Sequence, residues 1–128
     1  MSFEEVEVLR ERASMFLENA KYLLGKSLYD LAVFNMEQYC QLILKYKLLV
    51  KTGSYPRTHS LTRLIDYISR MESGVRVLVE KEEYLLMLTK LEDAYIGARY
   101  LPRRYTEIEA QALYRFVEGV FKEVVERI

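Results

Sequence analysis

An all-α fold, an up-and-down bundle of four long helices plus one short helix, is the architecture this chain predicts. Apolar residues recur at three- and four-residue spacing almost from end to end, only five glycines and two prolines interrupt 128 residues, and strand-like alternation is never sustained. No linker or low-complexity tract divides the chain, so residues 1–128 are expected to pack as a single helical domain. At that length folding buries roughly two thirds of the unfolded surface, enough for a core without staples.

The first helix is expected over about Phe3 to Leu24, where Val6, Leu9, Ala13, Phe16, Leu17, Ala20 and Leu24 share a face with Glu and Arg opposite. Ser2 and Glu5 form a capping box at its start, and Gly25 offers a left-handed stop. A second helix spans about Leu28 to Lys51, with Ser27 and Asp30 placed to satisfy its first amide hydrogens. Its stripe of Leu28, Ala32, Tyr39, Leu42, Tyr46 and Leu49 does not exhaust its apolar residues, because Val33, Phe34, Cys40, Leu44 and Leu48 lie outside it. A helix apolar on two sides buries two sides, so it is either the centre of the bundle or also faces a second copy of the chain. Gly53 and Pro56 bracket a turn, after which Leu61, Leu64, Ile65, Ile68 and Met71 mark a short third helix capped by Thr58. Beyond a break at Ser73-Gly74, Tyr84, Met87, Leu88, Leu91, Ala94, Tyr95 and Ala98 form the inner stripe of a fourth helix that ends before Pro102, since proline disfavours helical geometry in the residue preceding it. Thr106 with Glu109 is a second capping box, and the last helix carries Leu113, Phe116, Val117, Val120, Phe121 and Val124 inward.

Nineteen basic and nineteen acidic residues cancel, which removes any global field toward nucleic acid or anionic membrane and makes an anion site a local matter. RNA is accordingly not an expected partner. The N-terminus lacks a basic start and an apolar stretch, and no apolar run approaches the ~18 residues of a membrane helix, so a soluble, cytoplasmic protein without membrane partners is expected. Cys40, the single cysteine, falls in an apolar helical pattern where a thiol behaves as a small buried hydrophobe. One histidine, His59, nineteen positions from that cysteine, excludes paired-histidine and thiolate-histidine catalysis, and no ligand pair stands at metal-binding spacing. No metal or other cofactor is expected. His59 itself is read as packing against or capping the third helix.

The densest polar cluster is Arg99-Tyr100-Leu101-Pro102-Arg103-Arg104-Tyr105, three guanidiniums and two phenols on a turn that feeds the last helix. A planar guanidinium donates two parallel hydrogen bonds to phosphate, and a helix start adds free amides and a favourable dipole. Tyr100 or Tyr105 is positioned to stack on a base. Against this stands a plainer reading, in which the arginines solvate a loop and pair with Glu107 or Glu109 for ~0–1 kcal/mol each. Glu80, Glu82, Glu83, Glu92 and Asp93 read as a solvated face, whereas Glu37 shares the Val33, Cys40 and Leu44 side of its helix and needs a partner there. The eleven tyrosines fall mostly at stripe positions and read as core filling.

Several short pieces occur together in order: Ala20-Lys21-Tyr22-Leu23-Leu24, Lys26-Ser27-Leu28-Tyr29-Asp30-Leu31-Ala32-Val33-Phe34, Glu37-Gln38-Tyr39, Leu44-Lys45-Tyr46-Lys47, Pro56-Arg57-Thr58-His59-Ser60-Leu61 and Tyr95-Ile96-Gly97-Ala98-Arg99-Tyr100. In this arrangement the chain resembles the HEPN domain family of higher eukaryotes and prokaryotes, in its prokaryotic stand-alone form. The resemblance implies a bundle of four to five helices that dimerises, encoded beside a minimal nucleotidyltransferase. It also implies one of two behaviours, a ribonuclease toxin or a non-catalytic form that binds nucleotide or a partner protein. The ribonuclease forms carry an Arg, four to six residues, and a His. Counting back from His59 reaches Thr52, Gly53 and Ser54; counting forward from Arg99 reaches Arg104, Tyr105 and Thr106, so the motif is absent. The chain also departs from the resemblance at Leu101, inserted before the proline, and at Ser27, where many relatives have glycine.

Three functional readings follow. The favoured one is a non-catalytic homodimer whose arginine turn binds a nucleotide or phosphate through Arg99, Arg103 and Arg104, with Tyr100 or Tyr95 lining the pocket and His59 approaching from the neighbouring turn, in concert with a minimal nucleotidyltransferase. The second is an interaction module without ligand, in which the broad apolar surface of the second helix joins protomers or docks the partner and the arginines are solvated. The third is a ribonuclease toxin that works without the usual Arg/His motif.

Overall fold

The computed structural model describes residues 2–128, apart from the side chain of Arg99. The chain folds into α1 (Phe3–Gly25), α2 (Tyr29–Thr52), the short α3 (Leu61–Ser69), a 3₁₀ turn (Ser73–Arg76) leading into a single helical turn α4 (Val77–Glu80), α5 (Glu82–Tyr100) and α6 (Glu107–Phe116). A π-helical segment (Val117–Phe121) joins α6 without a break to α7 (Lys122–Glu126), making one bent rod. Four long rods plus the short α3 form an all-helical bundle, and no described residue is in a strand.

The centre of the bundle is α2. It packs against α1, α3, α5 and α6, which explains its two apolar faces: Ala32, Val33, Met36, Tyr39, Cys40, Ile43, Leu44 and Leu48 are all buried. Most of its apolar breadth is therefore spent inside one protomer, although Leu31 and Val50 of the same helix are exposed. Cys40 is fully enclosed, and desolvation first, then the neighbouring Glu37 carboxylate, pushes its thiol well above the usual range, so it packs as a hydrophobe. Glu37, also fully buried, has the partners it needs: the side-chain amides of Gln38 and Gln41 donate to its two oxygens, and Lys45 donates to Gln41 at 3.3 Å.

Several helix ends depart from expectation. Both capping boxes form as predicted, Ser2 with Glu5 and Thr106 with Glu109. Gly25 is not the left-handed stop of α1, however. The N–H of Leu28 reaches back to the Leu23 carbonyl and that of Ser27 to the Leu24 carbonyl, both at 3.0 Å, a Schellman closure that puts the left-handed residue two positions later, at Ser27 with φ 60°. A side chain there is strained against its own carbonyl by roughly 1 kcal/mol. Ser27→Gly is expected to raise stability by about 0.5–1 kcal/mol after the entropy glycine adds to the unfolded chain, read as an increased urea midpoint with unchanged slope. Ser27 and Asp30 also do not cap α2, whose N-cap position is Leu28 with no side-chain bond; Asp30 is used elsewhere. Ser60 rather than Thr58 caps α3, accepting from Arg63 N at 3.3 Å, while Thr58 Oγ1 accepts from Ser60 N one step upstream. Glu92, read as solvated, reaches across from α5 to accept from Ser60 Oγ at 3.1 Å and Thr62 N at 2.9 Å, tying α3 to α5.

The last rod corrects a stripe. Val117, Phe121 and Val125 are fully buried, while Val120 and Val124 are only half-buried. Residues four apart rotate about 40° out of line in a regular α-helix, and the wider π turn absorbs that rotation, so the buried line runs through Val125 instead of Val124.

At the other end of this rod the capping box is coupled to α5. Glu109 accepts from Thr106 N at 3.0 Å and from Lys90 Nζ at 2.7 Å. The Lys90 hydrogen bond first, then the Thr106 amide, hold its carboxyl at about 2, below the ordinary 4.5. A depressed carboxylate contributes stability that is complete above the unfolded value and is lost as pH falls through the folded one. We expect stability to decline between about pH 4.5 and about pH 2, and the Glu109→Gln protein to show a shallower decline over that window in acid titrations followed by circular dichroism.

Candidate functional site

The predicted site residues sit where α5 ends and the chain turns toward α6. Leu101 is extended, with φ −107° and ψ 154°, as a residue before proline must be, and this stops α5 at Tyr100. The far end of the turn is held by α2: Asp30 Oδ1 accepts from the backbone N–H of Tyr105 at 2.7 Å. Tyr105 is almost fully buried, and the Arg103 guanidinium lies over its ring at 4.5 Å from the centroid. Glu109 also meets Arg103, at 3.7 Å. The Arg103 stem packs on Gly97, where even a methyl would be in ordinary van der Waals contact, 3.4 Å from Arg103 Cδ. The arginine therefore lies against the backbone of α5, positioned from three sides.

This arrangement opens a cleft of about 610 Å³ lined by His59, Ser60, Glu92, Asp93, Tyr95, Ile96, Gly97, Leu101 and Arg103. His59 and Tyr95 stack with ring centroids 4.1 Å apart and planes 21° from parallel, and the Tyr95 hydroxyl is 3.2 Å from His59 Nε2. Three of the six predicted residues, His59, Tyr95 and Arg103, thus converge on one concavity. Arg104 does not join them; it lines a separate cleft of about 430 Å³ with Ser27–Leu31 and Tyr105. Tyr100 is 72% exposed and lies outside the lining of the first cleft. The side chain of Arg99, named above as a phosphate ligand, lies outside the described residues.

The start of α6 is less available to an anion than the sequence suggests. Thr106 Oγ1 takes the Glu109 N–H at 3.1 Å, and Glu107 and Glu109 already place two carboxylates in its first turn. Among the described residues, no three His, Cys, Asp or Glu side chains converge so as to hold a metal ion, and no helix is long and apolar enough to cross a membrane.

The bundle, the position of the turn and the order of the motifs agree with one further observation: the family model for the HEPN domain matches residues 6–128, nearly the whole chain. The protein is a member of the HEPN family. Neither the curated proteins nor the solved structures hold a match to it. Within this HEPN bundle, sequence reasoning missed Asp30 and Glu92 as residues that fasten the elements around the cleft. Asp30 and Tyr105 are 75 positions apart, and nothing local pairs them.

Proposed function

We propose that this HEPN protein is a non-catalytic binder of a nucleotide or phosphate compound, working as a homodimer with a minimal nucleotidyltransferase. The observation that carries the reading is the cleft in which a stacked His59–Tyr95 pair and the Arg103 guanidinium face the same space. A base or sugar face lies on the rings and Ile96, while Arg103 takes the phosphate with two parallel hydrogen bonds. Its existing contact to Glu109 is long and part-exposed, ~0–1 kcal/mol, so a doubly charged phosphate displaces it readily. Asp93, an exposed residue of the lining, suits the hydroxyl or amino hydrogens of such a ligand. The absence of the Arg/His spacing supports the non-catalytic assignment.

Dimerisation is placed by this reading on the outer face of α5. Leu86, Thr89, Asp93, Ile96 and Tyr100, three or four residues apart, are all exposed beside the cleft, and Leu86, Ile96 and Tyr100 leave large apolar area uncovered. Sedimentation of the purified protein is expected to give a dimer.

The reading is tested by thermal shift with ATP, GTP, AMP, GMP and inorganic phosphate. At least one nucleotide is expected to stabilise the protein, Arg103→Ala to weaken binding roughly 10- to 100-fold through a lost charge-assisted contact, and Arg104→Ala to leave it unchanged. No shift with any of these ligands, or a shift indifferent to Arg103, removes the cleft from consideration.

A further inference from the structure

The large cleft is assembled from two halves that are fastened separately. Arg103 is held at the turn between α5 and α6 by the Tyr105 ring and by Glu109, and Asp30 anchors that turn to α2. None of these contacts involves α3. The ring half depends on a different clasp at the start of α3, where one carboxylate oxygen of Glu92 accepts from Ser60 Oγ at 3.1 Å and from Thr62 N at 2.9 Å.

Ser60 directly follows His59, and its hydroxyl also accepts from Arg63 N as the N-cap of α3, so this one group ties the helix start to α5. Thr58 Oγ1 accepts from Ser60 N at 3.1 Å and closes a short turn around His59. On α5, Glu92 and Tyr95 stand three residues apart and therefore share a face. The residue that grips Ser60 thus lies about one turn from the ring on which His59 stacks, at 4.1 Å between centroids. His59 is exposed and Tyr95 half-buried, which makes the imidazole the more accessible plate of the pair. An exposed side chain gains rotamer entropy by leaving such a stack, so a fixed backbone beneath it favours the stacked state.

We infer that Glu92 is a positioning residue that gives this cleft its hold on a base. Given the nucleotide reading proposed above, Glu92 acts through Ser60 and Thr62 to keep His59 on Tyr95 as a preformed platform, while Arg103 takes the phosphate independently. A platform ordered before the ligand arrives avoids the entropy loss of immobilising a loose imidazole at binding. Recognition of the ring and recognition of the phosphate are then separable by mutation.

The experiment titrates the wild type, Glu92→Ala and Glu92→Gln with AMP, GMP and inorganic phosphate, followed by NMR. His59 is the single histidine, so its ring protons are assigned directly, and the ring current of Tyr95 shifts them for as long as the stack persists. Glu92→Ala is expected to move those signals toward an unstacked imidazole and to weaken nucleotide binding roughly 5- to 100-fold, the scale of one lost base–aromatic contact, while phosphate binds as before. A general loss of stability would not spare phosphate. Glu92→Gln keeps the acceptor oxygen without the charge and is expected to retain both the stack and the nucleotide affinity, a result that supports positioning even where the alanine protein fails to fold. The inference is overturned, with the nucleotide reading intact, if the wild type binds a nucleotide and Glu92→Ala binds it equally well or weakens phosphate to the same degree. It is overturned likewise if Glu92→Gln loses affinity while keeping the stack, since the carboxylate would then touch the ligand itself. If the wild type binds none of the three probes, the nucleotide reading falls, and the role of Glu92 falls with it.

Discussion

Phe121→Ala is expected to destabilise the protein by about 3–5 kcal/mol, the cost of emptying a fully buried aromatic site. Its ring meets Tyr39 edge-on, centroids 6.0 Å apart at 72°, and lies 6.5 Å from Phe116, so truncation removes aromatic contacts to α2 as well as transfer energy. Against a typical total of 5–15 kcal/mol this is a large share, and for a chain of this length it corresponds to a melting temperature lower by roughly 10–20 °C. The π segment makes a companion result decisive. Val125→Ala should cost more than Val124→Ala, because only Val125 is fully buried; equal losses, measured by chemical denaturation, would mean that the rod keeps regular α phase.

Asp30→Ala is expected to have the largest effect at the candidate site. The Asp30 carboxylate accepts the Tyr105 N–H across 75 residues, and a part-buried bond to a charged acceptor contributes about 1.5–2 kcal/mol. Without it the turn loses its anchor on α2, Tyr105 is freed, and Arg103, which lies over that ring, loses its orientation. Stability should therefore fall together with ligand affinity in the thermal-shift assay, although Asp30 lines a different cleft from Arg103. Asp30→Asn retains an acceptor oxygen and should lose less on both measures. If the alanine variant binds as the wild type does, the anchor is irrelevant to the cleft.

These two residues mark where sequence reasoning reached and where it stopped. Phe121 was legible as core because helical periodicity is a property of consecutive residues, and the same logic located the bundle, both capping boxes, the Pro102 stop and the two apolar sides of α2, whose central place was one of two alternatives. Phase errors entered only where the backbone left regular geometry. The π segment carried the stripe to Val125, and the Schellman closure moved the left-handed residue from Gly25 to Ser27. Polar side chains misled more often, since Asp30, Ser60, Thr58 and the longer Glu92 each have several partners within reach and choose among them by distances that only packing sets.

The arginine turn illustrates the same division. Its composition identified a cluster of guanidiniums and phenols, but adjacent residues in an extended turn point in different directions, so Arg103 and Arg104 entered separate clefts. His59 and Tyr95, 36 positions apart, became a stacked pair because Glu92 fastens the start of α3 to α5. By itself the sequence determined the helical class, the order of elements and the family, because these follow from local periodicity, capping chemistry and motif order along the chain. Tertiary structure alone decided which polar groups meet and which arginine shares a concavity with aromatic rings. Those outcomes depend on contacts between distant residues, whose geometry is set when the apolar stripes pack.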